Sequence, residues 1–405
     1  MTNDNKKYIP ALRFPEFQND GEWLYEYGNV LFDSIVNKNH NSELPILAIT
    51  QENGAIPRDM INYRVSVEDK SIEGYKVVDV GDFIISLRTF QGGIEYSRYK
   101  GICSPAYIVL RKKHDNICDD FYRYYFKTYQ YIQDLNRNLE GIRDGKMVSY
   151  KQFSEIKIPY PTLSEQKKIA DCFVSIDEEI DATKRKFEQL KEHKKGLMQK
   201  LFPAKGKALP ELRFPEFQND GEWAYDYGDA LFDSIVNKNH NSELPILAIT
   251  QENGAVPRDM INYRVIVEDK SIEGYKVVDI GDFIISLRTF QGGIEYSMYK
   301  GICSPAYIVL RKKHNNICND FYRHYFKSFQ YIQDLNRNLE GIRDGKMVSY
   351  KQFSEIKIPY PRHEEQCKVA NCFTSLDMEI NALKDKIMAL ELHKKGLMQQ
   401  LFPKL

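Results

Sequence analysis

The chain repeats itself at an offset of 200 residues. The segment LRFPEFQNDGEW at Leu12–Trp23 returns at Leu212–Trp223, and the match continues without a gap to Pro203 and Pro403. By count, positions 12–161 differ from 212–361 at 13 of 150 sites, and positions 162–203 differ from 362–403 at 18 of 42. Self-similarity of this kind decides the architecture before any local reading does. Each copy has a nearly invariant front section and a looser tail. The expected domains are therefore 1–161 and 204–361, each followed by a tail at 162–203 and 362–405.

The front section reads as mixed α/β. Strand-like runs rich in Val, Ile and Tyr fall at Pro45–Ile49, Tyr75–Val80, Phe83–Leu87 and Ala106–Leu110. Gly81-Asp82 and Gly92-Gly93 supply turn chemistry between such runs. Phe121, Tyr125, Tyr129, Ile132, Leu135 and Leu139 recur at helical spacing, which predicts one amphipathic helix. A short strand at Ile156–Ile158 follows, ending at Pro159 and Pro161.

The tail reads as one long helix. Thr162 and Glu165 form a capping-box pattern. Ile169, Phe173, Ile176, Ile180, Thr183, Phe187, Leu190, Lys194, Leu197 and Leu201 then alternate by four and three, the seam of a coiled coil. The second copy gives Val369, Phe373, Leu376, Ile380, Leu383, Ile387, Leu390, Lys394, Leu397 and Leu401, and Pro203 and Pro403 stop the helices. At 1.5 Å per residue each helix spans roughly 55–60 Å. A globule of this size is about 30–40 Å across, so the two seams are expected to pack on each other. The alternative is a stripe that serves as the core face of a helix lying on its own domain. Two copies of one unit pack most simply about a pseudo-twofold axis. The expected fold class is α+β: two mixed α/β heads separated by an antiparallel pair of long helices.

Composition narrows the function classes. Basic and acidic residues balance at 57 each, so a nucleic-acid surface would have to be a local patch. Seven cysteines, with no CxxC pair and no zinc-type spacing, fit free thiols in a reducing compartment. No signal peptide or apolar stretch of about 20 residues is present, which suggests a cytoplasmic protein.

Enzymatic motifs are fragmentary. CSPAY at Cys103–Tyr107 is similar to an amino-methyltransferase motif but lacks its second proline. No Gly-rich methyl-donor turn accompanies it. Pro57-Arg58-Asp59 with Glu68-Asp69-Lys70 resembles a metal-dependent nuclease pattern with the wrong adjacency. His40, His114 and His193 have no evident Ser, Cys or Asp partners. No catalytic or metal-binding residue is expected.

Loop positions carry more chemistry. Gln51 follows a strand, and Arg88, Thr89 and Gln91 precede Gly92-Gly93, where backbone can approach a partner or simply turn. Lys112 and Lys113 follow a strand, and Arg143 and Lys146 lie in the connector GIRDGK. All recur as Gln251, Arg288, Thr289, Gln291, Lys312, Lys313, Arg343 and Lys346. Arg and Gln can make bidentate contacts to guanine and adenine edges, and Lys suits phosphates. The bland alternative for each is a solvated surface residue.

Taken together, LRFPEF, LAITQENGAIPRD (Leu47–Asp59), DFIISLRTFQGGI (Asp82–Ile94), SPAYIVL (Ser104–Leu110) and IPYPTLSEQKKIA (Ile158–Ala170) before a long helix resemble specificity subunits of type I restriction–modification systems. The resemblance covers essentially the whole chain, twice. It implies two target-recognition domains and two spacer helices on a non-catalytic chain. It implies double-stranded DNA as ligand, two methyltransferase (M) subunits, and restriction/translocase (R) subunits. S-adenosylmethionine, ATP and magnesium would be used by those partners in adenine-N6 methylation and restriction. In most members the two recognition domains differ; here they are almost the same, so an interrupted palindrome is the expected target. Arg98 becomes Met298 and Ser66 becomes Ile266, so neither can be a decisive base reader if the half-sites are equal. The rivals are a scaffold spacing two protein-binding heads and a stand-alone DNA-modifying enzyme.

Overall fold

The computed structural model describes residues 8–40, 43–61, 72–137, 148–240, 243–261, 272–287, 289–337 and 348–403. The run Phe83-Ile84-Ile85 explains the architecture of each head. It has no polar alternation, and all three side chains are at most 1% exposed. Such a strand belongs in a sheet covered on both faces. It is β6 of ten strands among the described residues of the first copy: β1 Leu24–Tyr27, β2 Phe32–Ile35, β3 Leu47–Thr50, β4 Gly54–Pro57, β5 Lys76–Val78, β6 Phe83–Ile85, β7 Glu95–Tyr96, β8 Gly101–Cys103, β9 Ile108–Lys112 and β10 Lys157–Tyr160. A four-stranded antiparallel sheet has the order β2-β9-β6-β7, and pairs β3-β4, β5-β8 and β1-β10 surround it.

Successive residues face opposite sides. Phe83, Ile85 and Leu110 join the large core with Phe32 and the helices. Ile84 and Val109 face a smaller cluster with Leu47, Ala55, Val78 and Cys103. The helices are α1 Gly28–Leu31, α2 Thr89–Gly92, α3 Asp119–Tyr125, α4 Tyr129–Arg137, α5 Tyr150–Ser154 and α6 Leu163–Leu201. The second copy repeats these elements 200 residues later and ends in a long helix at His363–Leu401.

The helix expected from Phe121 onward is two. The Thr128 hydroxyl donates to Tyr125 O at 2.7 Å and accepts from Tyr131 N at 3.3 Å, ending one helix and capping the next. The apolar spacing continues across the break, which is why periodicity alone hides it. Leu139 lies outside the described residues. The capping box at Thr162 is half formed. Glu165 N donates to the Thr162 hydroxyl at 3.4 Å, but the Glu165 carboxylate receives Arg13 Nε and Nη2 at 2.7 and 2.8 Å. In the second copy Arg362 replaces the threonine, while Arg213 and Glu365 keep the same bidentate pair. That pair docks the LRFPEF segment on the long helix in both copies.

The chain divides into two compact units, residues 1–184 with 385–405, and residues 185–384. The boundaries fall inside the long helices, not at the head–tail junctions near 161 and 361. Each unit contains a head, the first half of its helix, and the end of the other long helix. In the first unit Leu397, Met398, Leu401 and Phe402 pack with Ile169, Phe173 and Phe121, and Leu12 N donates to Gln400 O. In the second, Leu197, Met198, Leu201 and Phe202 pack with Val369, Phe373 and Phe321, and Leu212 N donates to Lys200 O.

The helix segments run antiparallel within each unit. Asp177 meets Lys394 at 2.5 Å and Lys184 meets Glu391 at 2.6 Å; Lys194 meets Asp377 at 2.5 Å. Both readings of the stripe therefore apply. Its first positions belong to the head's core, and the rest are buried or half-buried along the helices. The polar seam residues Lys194 and Lys394 are tolerated because an aspartate answers each. Among the described residues no helix is long and apolar enough to cross a membrane, and all seven cysteines are free.

Candidate nucleic-acid interface

Two short loops meet at one end of each head. The β3–β4 hairpin pairs Thr50 with Gly54, leaving Gln51, Glu52 and Asn53 at its tip. The Thr50 hydroxyl donates to Gly54 O at 3.1 Å and accepts from Asn53 N at 3.0 Å, which fixes the turn. The second loop follows β6, where Arg88 caps α2. A Cβ on Gly92 would lie 2.6 Å from the Gln51 side chain, so that glycine makes room for the hairpin tip. Gly93 has φ of 81° and a Cβ there would lie 2.0 Å from Phe126 O. The Gly92-Gly93 pair thus serves packing within the protein.

The structure brings together Gln51, Arg88, Thr89 and Gln91. Gln51, Arg88 and Gln91 are exposed. Gln51 Nε2 donates to Arg88 O across a long 3.5 Å. Among the described residues no carboxylate lies within ion-pairing distance of Arg88 or Arg98, so these are cations without an acidic partner. Thr89 differs: it is 1% exposed and its hydroxyl accepts from Ser86 N at 2.7 Å. Its role here is to hold the loop that presents Arg88 and Gln91. Thr289 is buried in the same way, and its hydroxyl accepts from Ser286 N at 2.7 Å. Gln251 and Gln291 are exposed like their counterparts. Arg143, Lys146, Arg288, Arg343 and Lys346 lie outside the described residues.

Lys112 and Lys113 are elsewhere. β9 runs antiparallel to β6, with Ile85 opposite Ile108 and Phe83 opposite Leu110. Lys112 therefore closes the end of the sheet where β6 begins, and Arg88 follows the end where β6 finishes. Lys112 pairs with Asp119 at 2.9 Å and Lys113 with Asp33 at 3.0 Å. In the second copy Lys313 pairs with Asp233 at 3.2 Å. Asn319 replaces the other aspartate, and Lys312 donates to Ile317 O at 3.1 Å.

Residues given no contact role from the sequence line a cleft beside the hairpin tip. In the first unit it has a volume of about 480 Å³ and includes Asn53, Tyr96, Arg98, Arg123, Lys127 and Lys394. Arg123 stacks 4.6 Å from the centre of the Tyr124 ring. Lys127 donates to Glu95 at 2.5 Å and to Gly92 O at 2.9 Å, tying the cleft floor to the end of α2. Burial raises the Glu95 carboxyl and lowers the Lys127 ammonium, so each needs the other to remain charged. Arg123 lies in the last turn of α3 and Lys127 in the turn that follows it, and their four-residue spacing was the available signal.

The second unit has the same cleft at about 660 Å³ with three changes: Met298 replaces Arg98, His324 replaces Tyr124 and Asn381 replaces Asp181. The Tyr124 hydroxyl donates to Asp177 at 2.7 Å. His324 is buried, and burial beside Lys194 and Arg323 holds its pKa down to about 3. It is therefore neutral near pH 7.

The arrangement is a head that presents exposed amide groups on a hairpin tip and the neighbouring α2 loop, built twice in one chain, each copy followed by a long helix. That is the class of a duplicated recognition protein. The chain matches the family described as type I restriction modification DNA specificity domain twice, over residues 25–192 and 226–392. It belongs to that family. The MjaVIII type I restriction enzyme specificity subunit of Methanocaldococcus jannaschii is 27% identical over 356 residues, 83% of this chain and 81% of that protein. A relative from the same organism, carrying the name of the MjaX specificity subunit, is 26% identical over 360 residues, 84% of this chain and 82% of the relative.

Two solved structures share the fold. The S subunit of a type I restriction-modification system from M. genitalium aligns with a TM-score of 0.57 at 17% identity. The match covers 98% of this chain and all of that one. A chain from a structure concerned with complex assembly of the type I R-M system aligns with a TM-score of 0.50 at 17% identity, covering 95% and 98%.

Proposed function

We propose that each unit reads one half-site of a bipartite DNA sequence, and that the two half-sites are the same few base pairs inverted. The observation that carries this reading is the recurrence of the same loops in both copies, with Gln51, Arg88 and Gln91 answered by Gln251, Arg288 and Gln291. Arg143, Lys146, Arg343 and Lys346 are proposed as further phosphate or base contacts, on residue type alone. Lys112, Lys113, Lys312 and Lys313 fit a phosphate role less well, because of their place on the sheet and their acidic neighbours. The chain directs partner methyltransferase subunits, which use S-adenosylmethionine to modify adenine. It also directs restriction subunits that use ATP and magnesium, all in the cytoplasm. Membership of a specificity-domain family supports this division of labour.

Mapping methylated adenines across a genome carrying this system tests the palindrome. Two unrelated half-sites would refute it. Arg88→Ala combined with Arg288→Ala should cost about 1–3 kcal/mol of discrimination at each matched position. The methylation motif should then become degenerate in both halves at once. An unchanged motif in the double variant removes these arginines from the reading surface.

A further inference from the structure

One cluster of reactive side chains exists in the second unit and has no counterpart in the first. Cys318 precedes the helix Asn319–Tyr325, and Cys367 lies in the second turn of the helix His363–Leu401. The loop that bears Cys318 lies against this turn of the helix, since the Cys318 backbone bonds the residue beside Cys367, and the Cys318 thiol raises the cost of ionising Cys367. One turn before Cys367, His363 places Nε2 at 3.5 Å from the Cys367 Sγ. Its Nδ1 is 2.9 Å from Asn316 O. A carbonyl can only accept, so Nδ1 carries the proton and Nε2 presents its lone pair to the thiol. The Gln366 side chain accepts from Cys318 N at 2.9 Å, which fixes the helix against the loop that bears Cys318. Both cysteines are half-buried and open to small reagents. In the first copy Cys118 remains, but Leu163 and Lys167 stand where His363 and Cys367 do.

We propose that Cys318 and Cys367 are a redox-active dithiol that closes to a disulfide, with His363 as the base that activates Cys367. Burial and the neighbouring thiol push the Cys367 pKa up to about 11, so the resting sulfur is a thiol and needs a base. The oxidant is a low-molecular-weight disulfide. Cys367 passes its proton to His363 Nε2, and its sulfur attacks one sulfur of the oxidant. A mixed disulfide forms, and the released thiolate takes the proton from His363. Cys318 then loses its proton and attacks the Cys367 sulfur, expelling the second thiolate, which is protonated in turn. Two protein thiols are oxidised and one disulfide is reduced to two thiols. The product ties the second head to the start of its long helix. Reducing conditions reverse it.

The test uses the full-length chain equilibrated with oxidised glutathione, then alkylated and denatured. Free thiols should fall from seven to five, and peptide mass mapping should find one cross-link, between Cys318 and Cys367. Cys318→Ser and Cys367→Ser should each abolish it, leaving at most a mixed adduct on the remaining cysteine. His363→Gln should slow closure by roughly tenfold or more without changing the end point. Seven thiols after oxidation, adducts without a cross-link, or a cross-link between other cysteines would overturn the assignment. An unchanged rate in His363→Gln would remove the histidine from it.

Discussion

Replacing Phe402 with alanine will destabilise the first unit by about 3–5 kcal/mol, although the residue is almost the last in the chain. Phe402 is 4% exposed, with its ring centre 5.4 Å from Phe121, 5.8 Å from Tyr125 and 6.0 Å from Phe173. All three belong to the first unit's core. The space would not refill readily, because Phe402 stacks on Phe173 at 4° and lies tilted against Phe121 and Tyr125, whose rings are themselves buried. The chain carries its own reporters. Trp23 lies 5.9 Å from Phe121 in the first unit, and Trp223 lies 5.9 Å from Phe321 in the second. In a Trp223→Phe background, denaturant unfolding followed by Trp23 fluorescence should shift to lower midpoint in Phe402→Ala. Phe202→Ala should leave that transition in place and, in a Trp23→Phe background, move the one reported by Trp223. If the Trp23 transition ignored Phe402→Ala, the end of the second long helix would not be part of the first unit's core.

A chain ending after Pro203 will associate as a pair. The first unit is incomplete without residues 385–405, and the half-length chain carries a near copy of that segment in its own tail. Leu197, Met198, Leu201 and Phe202 match Leu397, Met398, Leu401 and Phe402. Phe202 already serves the second head as Phe402 serves the first, with its ring 5.5 Å from both Phe321 and Tyr325. It cannot serve its own head. From Phe173 to Leu201 the helix is continuous and about 42 Å long, so the tail must dock on a second copy. Lys194 would then meet Asp177, as Lys394 does now. One pair is lost: Lys184 faces Glu391 in the full chain and would face Lys191 in the half-chain, a modest cost for an exposed contact. Sedimentation at micromolar concentration should give twice the half-chain mass, and Phe202→Ala should reduce it to the single chain. A half-chain that is folded and monomeric would contradict the shared-core reading.

The repeat, the helix ends at Pro203 and Pro403, and the seam were legible because each is a local or strictly periodic signal. The unit boundaries were not. A stripe such as Ile169 to Leu201 says which face is buried but not which body buries each turn. The break at Thr128 was hidden for a related reason, since Tyr125 and Tyr129 keep helical spacing on either side of it. In the candidate site, the exposure of Gln51, Arg88 and Gln91 was legible because loops after strand ends face solvent. Thr89 was indistinguishable from them by type, and only its bond to Ser86 N separates it. The position of Lys112 required the strand order, because a basic run after a strand does not say which end of the sheet it occupies. Arg123 and Lys127 were unremarked because the cleft joins segments far apart in sequence, and Arg98 was set aside because Met298 replaces it in the second copy.

The interleaving of the two units also sets an order of completion. The second unit is one unbroken stretch, Arg185–Lys384, whereas the first must wait for residues 385 onward. During synthesis at about 5–20 residues per second, those 200 intervening residues take roughly 10–40 s to emerge. For that interval the earlier-made half lacks the segment that covers Phe121, Tyr125 and Phe173 on the side where Phe402 packs. The part translated first is thus the part finished last. The most vulnerable moment in this protein's life comes before its final helix has left the ribosome.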